Sequence, residues 1–178
     1  SPTAYIRRAL ETRIKNLNRK MEPGIELIKE KKLIGLQARM SLADYKVADL
    51  WKAFMPKRKE IRNTTSNDVL SLSVYDASYF SRFNPANEFE KWAAVEVTGF
   101  EDIPAGLSPL IVPAGLYAIF TYKGPGSDNS IFQYIYSTWI PASRYQLDDR
   151  PHFEVLGEQY RNNDAGSEET IYIPIRPK

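Results

Sequence analysis

The chain has 178 residues, 43% of them hydrophobic and 26% charged, with no cysteine and a single histidine, His152. These proportions exclude a disordered or fibrous chain, disulfides and thiolate metal sites, and one imidazole supplies no zinc pair, so no metal or other cofactor is expected. The net charge of +2 is uneven: residues 1–21 hold six bases against one acid, leaving a net −3 on residues 22–178. A body of that sign is not a phosphate-binding surface, so contact with DNA would pass through a domain absent from this chain. No apolar run reaches the length of a spanning helix and the first residues have no signal-peptide core, which gives an expectation of a cytoplasmic protein without a membrane partner.

In chain order, Ile6, Leu10, Ile14, Leu17 and Met21 recur at steps of three and four and predict a basic helix over 4–20, stopped by Glu22-Pro23-Gly24. Strand patterns follow within 25–40, then helical spacing of Val47, Leu50, Trp51 and Phe54 over 43–55, with Pro56 as its end. Residues 69–75 and 92–97 alternate with period two, and a Pro- and Gly-bearing link covers 99–109. The series then recurs: a strand at 116–122, a turn at 123–127, a helix at 128–140 closed by Pro141, and strands at 152–156 and 171–175. Leu33-Ile34-Gly35-Leu36 overlies Leu116-Tyr117-Ala118-Ile119, Phe54-Met55-Pro56 overlies Trp139-Ile140-Pro141, Leu72-Ser73-Val74 overlies Phe153-Glu154-Val155, and Val95-Glu96-Val97 overlies Ile173-Pro174-Ile175.

Four matched elements in one order indicate an internal duplication. The expected fold is α+β: an N-terminal helix over 1–22, then a domain over 23–178 made of two pseudo-symmetric β-α-β-β repeats, about 24–99 and 108–178. The repeats form one antiparallel sheet with helices on one face and a ligand cleft on the other. Assigning the strictly apolar strand positions to the helix side puts Leu72, Val74, Val95, Val97, Phe153, Val155, Ile173 and Ile175 there. Ser73, Tyr75, Trp92, Ala94, Glu96, His152, Glu154, Leu156, Tyr172 and Pro174 then share the cleft side.

Gly115-Leu116-Tyr117-Ala118-Ile119-Phe120, Lys123-Gly124-Pro125, Trp139-Ile140-Pro141-Ala142-Ser143, Asp149-Arg150-Pro151-His152-Phe153-Glu154-Val155 and Ile171-Tyr172-Ile173-Pro174-Ile175 together resemble the GyrI-like small-molecule-binding family. That family includes effector domains of bacterial transcription regulators and, in its fold, the SHS2-like repeat. Arg144 stands where the family pattern has glycine, and Leu156 where it has tyrosine. Ser1-Pro2-Thr3-Ala4-Tyr5-Ile6-Arg7 is similar to the end of an AraC-type DNA-binding domain, which implies that the chain is the effector half of such a regulator, with a homodimer permitted.

The resemblance implies that Glu154 lies in a binding cavity and faces cationic aromatic ligands. A carboxylate there would be neutral, hydrogen-bonded or awaiting a cation, and aromatic walls add a cation–π field. The expected ligand-binding set is Glu154 with Tyr75, Trp92, Tyr172, Tyr117 and Glu96, and Trp139 at the cavity edge, although helix aromatics such as Trp139 ordinarily seal a helix–sheet interface. The aromatic stretch 76–91 could form a lid, and Asn162–Glu169 reads as a loop. The chain has no nucleophile elbow, phosphate loop or paired-histidine motif, so a receptor is expected rather than an enzyme. The alternatives are a hydrolase of reactive electrophiles using Glu154 with Tyr75 or Tyr172, and a stand-alone protein-binding module.

Overall fold

The computed structural model describes residues 1–20, 22–123, 130–157 and 168–178, with only the backbone at 13–20. The predicted turn at 124–127, the first residues of the predicted helix at 128–129, most of the predicted 162–169 loop and the Ile14, Leu17 and Met21 side chains lie outside this description. The fold is α+β, with one nine-stranded antiparallel sheet and an N-terminal helix. Helix α1 spans Pro2–Lys20 and β1 Gly24–Ile28, followed by β2 at Lys31–Ser41 and α2 at Val47–Arg58. Strands β3 (Val69–Val74), β4 (Glu88–Val97), β5 (Ser108–Val112) and β6 (Gly115–Lys123) come next. A second sheet-covering helix starts as α3 (Ser130–Tyr134), widens into a π turn (Ile135–Trp139) and ends as α4 (Ile140–Ala142). Strands β7 (Tyr145–Leu147), β8 (His152–Leu156) and β9 (Glu168–Pro177) complete the chain.

The strand order β1-β6-β9-β8-β3-β4-β2-β5 is the duplication written in space. Outward from the centre, β3-β4-β2-β5 on one side answers β8-β9-β6-β1 on the other. Leu72 faces Phe153 across the central ladder, and these are the positions the repeat alignment equates. The pseudo-twofold therefore passes between them. The halves also exchange strands: β1 precedes β2 but pairs with β6, whereas β5 precedes β6 but pairs with β2. Strand β5, whose first two residues fall in the expected link, is an edge strand, where the missing amide of Pro109 removes no ladder bond the sheet requires. Likewise Pro56 does not end α2 but lies in its last turn.

Both faces of the sheet are buried, and this decides which residues can meet. On one face Leu50 and Phe54 of α2 pack on Ile34, Ala93 and Val95, while Ile131 and Ile135 pack on Ala118, Phe120, Ile171 and Ile173. The other face has no helix in its core. Its cluster joins Leu72 and Phe153 from the centre to Val112 and Tyr117 from the outer strands, so the sheet coils to fill that side with its own residues.

Because each face has an apolar core, alternation alone does not identify the helix side. Carried outward from Leu72 and Phe153, the ladders equate Ala93 with Ile173 and Leu36 with Ala118. The sequence overlay differs by two residues in the first case and one in the second, and a one-residue slip exchanges the two faces of a strand. Leu72, Val74, Phe153 and Val155 accordingly lie away from the helices, and Ser73, Tyr75, His152 and Glu154 lie beneath them.

Candidate ligand-binding site

On the helix-covered face, the two apolar covers leave a polar centre. Adjacent strands bring Lys91 of β4, Ser73 of β3 and His152 of β8 into one row, and Ala93, Ser71, Glu154 and Ile171 into the next. Glu169 of β9 stands opposite Leu156 in the third row. Ser71, Ser73, Lys91, His152 and Glu169 are all buried, and Glu154 is half-buried. Ser71, Ser73 and Ala93 supply small side chains at the middle of these rows.

Glu169, Lys91 and His152 each have an identifiable polar neighbour. Burial of the Glu169 carboxyl, together with the neighbouring Glu154, pushes its pKa up to about 9. It is therefore protonated at neutral pH. The Lys91 ammonium donates to Ser73 Oγ at 3.1 Å, and its positive charge acts on Glu169, His152 and Tyr75. The His152 Nδ1 and the Tyr136 hydroxyl form a 2.8 Å hydrogen bond. Burial, with the charges of Lys91 and Arg150, takes the His152 pKa down to about 3, so the imidazole is neutral. Tyr136 lies in the π turn, beside the core residue Ile135, and burial raises its pKa well above the ordinary phenol value.

Aromatic rings pack around this polar centre. Phe80 stacks on His152 at 5.5 Å and an interplanar angle of 21°, and its other neighbour is Tyr136 at 5.0 Å. Tyr75 meets His152 edge-on at 4.9 Å and also packs against Tyr79, Phe80 and Phe89. Tyr45, just before α2, is 48% exposed, yet burial of its hydroxyl and the nearby Glu154 and Glu169 charges lift its pKa to about 12. Tyr45 thus bridges solvent and the carboxyl pair. A separate cleft of about 290 Å³ borders the outer side of the aromatic loop, lined by residues including Arg39, Asp76, Tyr79 and Glu88.

Of the predicted set, Glu154 and Tyr75 share this face. Trp92, Tyr172 and Glu96 lie on the face away from the helices, where alternation put them, as does Tyr117; Glu154 and Tyr75, expected on that same face, lie beneath the helices instead, so the expected set is divided between the two faces. Tyr172 stacks on Phe153 at 4.4 Å, Tyr117 donates to the Pro151 carbonyl at 3.1 Å under the Arg150 guanidinium, and the Trp92 indole donates to Glu90. Glu96 pairs with Lys31 at 2.9 Å. With Tyr172 across the sheet, a Glu154–Tyr172 catalytic pair has no geometric basis. Trp139 sits edge-on to Phe120 at 5.4 Å and against Tyr145, sealing the helix–sheet interface.

Sequence reasoning missed Glu169, Lys91, Tyr136 and Tyr45. Lys91 carried a usable signal, since it lies two and four residues before the core positions Ala93 and Val95. Glu169 carried none, because it fell in a stretch with no strand pattern.

Residues 24–175 match the family described as "Cass2: Integron-associated effector binding protein". The chain belongs to this effector-binding family. The expected GyrI-like resemblance is thereby sustained. The transcriptional regulator BrlR of Pseudomonas aeruginosa is 29% identical over 146 residues, covering 80% of this chain and 51% of the relative. The chain thus spans about half the length of the curated relative it matches. Among solved structures, EcmrR in its complex with DNA superposes with a TM-score of 0.71 at 14% identity, over 99% of this chain and 65% of EcmrR. SAV2435 bound to tetraphenylphosphonium gives 0.62 at 16% identity, over 88% of this chain and 94% of that one. At these identities the superpositions establish the fold.

Proposed function

We propose that this chain is the ligand-sensing domain of a transcriptional regulator and that the floor around Glu154 receives a lipophilic aromatic cation. The observation that carries the reading is a pair of carboxyls, the half-buried Glu154 and the buried Glu169, set among Tyr45, Tyr75, Phe80 and Tyr136. Carboxylates supply the charge a cation seeks, and each ring adds about 0.5–2 kcal/mol of cation–π attraction. The tetraphenylphosphonium bound by SAV2435 and the regulator names of BrlR and EcmrR support this reading. In that setting α1 connects the sensor to a DNA-binding domain, of the AraC type by the resemblance of residues 1–8, in a cytoplasmic and homodimeric regulator. Occupancy would act on DNA only through that connection.

The test compares tetraphenylphosphonium with tetraphenylborate, which has the same shape and opposite charge, by thermal shift and calorimetry. At a hundredfold excess over Kd, binding adds about 2.7 kcal/mol to stability, or roughly 5–11 °C in Tm for a chain of this size. Stabilisation by the cation alone, weakened about ten- to a hundredfold in affinity by Glu154→Gln, is the expected result. Equal response to both ions, or a cation response indifferent to Glu154→Gln, overturns the assignment.

A further inference from the structure

The buried charges of the site are already balanced before any ligand arrives. Glu154 and Glu169 come from the neighbouring strands β8 and β9 on one face of the sheet, with Glu169 6% exposed, and burial beside Glu154 holds the Glu169 proton in place, so that the pair with this one proton carries −1. Lys91, 5% exposed and held by Ser73 Oγ at 3.1 Å, supplies the compensating +1 from the neighbouring strand. A monocation entering this floor would create an uncompensated buried charge, which is costly in a low-dielectric interior.

We infer that a lipophilic cation enters the site in exchange for the proton that Glu169 holds beside Glu154. This rests on the cation-binding reading above and goes further, making the sensor an equilibrium exchanger of cation for proton. The balance closes without any other reactant. Glu169 loses its proton to solvent, the two carboxylates then carry −2, and Lys91 with the ligand carries +2. Among the described residues, the titratable groups facing Glu169 are Glu154 from β8, Lys91 from β4, Tyr45 from the segment before α2, and Tyr122, its ladder partner on β6. Tyr45 keeps its proton at neutral pH, and His152 is neutral. The carboxyl pair is therefore the group with a proton to release.

Two consequences are measurable on the full chain with tetraphenylphosphonium as probe. Calorimetry in phosphate and in Tris, whose ionisation heats differ, should count about one proton released per cation bound at pH 7. The Kd should fall about tenfold per pH unit between pH 6 and 8. Glu169→Gln should remove both the proton count and the pH slope and weaken binding, because the floor then has no proton to give up for the entering charge. Lys91→Met, its fold checked by thermal melting, should bind the cation without releasing a proton, because the resident positive charge is gone. Binding by the wild type with no proton released, or release that survives Glu169→Gln, overturns the exchange and leaves the cation site standing. Release undiminished in Lys91→Met overturns the balancing role of Lys91. No binding at all overturns the cation site itself, and the exchange with it.

Discussion

In the proposed site Phe80 fills the space against His152, stacked on its ring. It packs on Tyr136 and His152 at 5.0 and 5.5 Å, rings that are themselves 5.9 Å apart, with Tyr75 and Tyr79 at 5.0 and 5.1 Å. If a ligand takes that slot, the ring must leave, and the contacts that stabilise the empty protein oppose binding. Phe80→Ala separates the two effects. Truncating a fully buried phenylalanine costs about 3–5 kcal/mol; Phe80 is half-buried, so about 2 kcal/mol is expected. At roughly 2–4 °C per kcal/mol for a chain of this size, Tm should fall by about 4–8 °C. The same contacts no longer have to be broken on binding, so tetraphenylphosphonium affinity should rise by up to about 2 kcal/mol, a factor of about 30. Circular-dichroism melting and calorimetry read the two quantities independently. A lower Tm with unchanged or weaker affinity would refute the reasoning and make Phe80 a fixed wall of the site.

Tyr136→Phe removes the hydroxyl from His152 Nδ1 and leaves a buried imidazole nitrogen without that partner, a loss of about 1–3 kcal/mol that thermal melting should register. Stability should also depend on pH through two opposed groups. Glu169 is raised from 4.5 to about 9 on folding, so its contribution is fully present below pH 4.5 and lost as pH climbs toward 9. His152 is lowered from 6.5 to about 3, so its contribution is present above pH 6.5 and lost as pH falls toward 3. Between pH 6.5 and 9 the first trend acts without the second, so Tm should decline across that window and the decline should flatten in Glu169→Gln. A wild-type Tm constant over this range would contradict the protonated Glu169.

The sequence by itself determined the elements and their repetition. Helical spacing in 43–55 and 128–140 and strand alternation around 72, 95, 119, 154 and 173 are local properties, visible wherever one side of an element is apolar. A family resemblance drew attention to Glu154, whereas alternation put it and Tyr75 on the face away from the helices, opposite to where they lie. Only the tertiary structure decided which faces meet. A sheet buried on one side sorts its residues by polarity, but this sheet is buried on both, by helices on one face and by its own coiling on the other. Trp92, Tyr172 and Tyr117 therefore looked like cleft walls and are core. The carboxyl pair was equally invisible: Glu154 and Glu169 are brought together by the β8–β9 ladder, and Lys91 reaches them from β4 across β3. Register is a long-range property set by packing of the whole sheet, and a shift of one residue carries a side chain from the site to the opposite core.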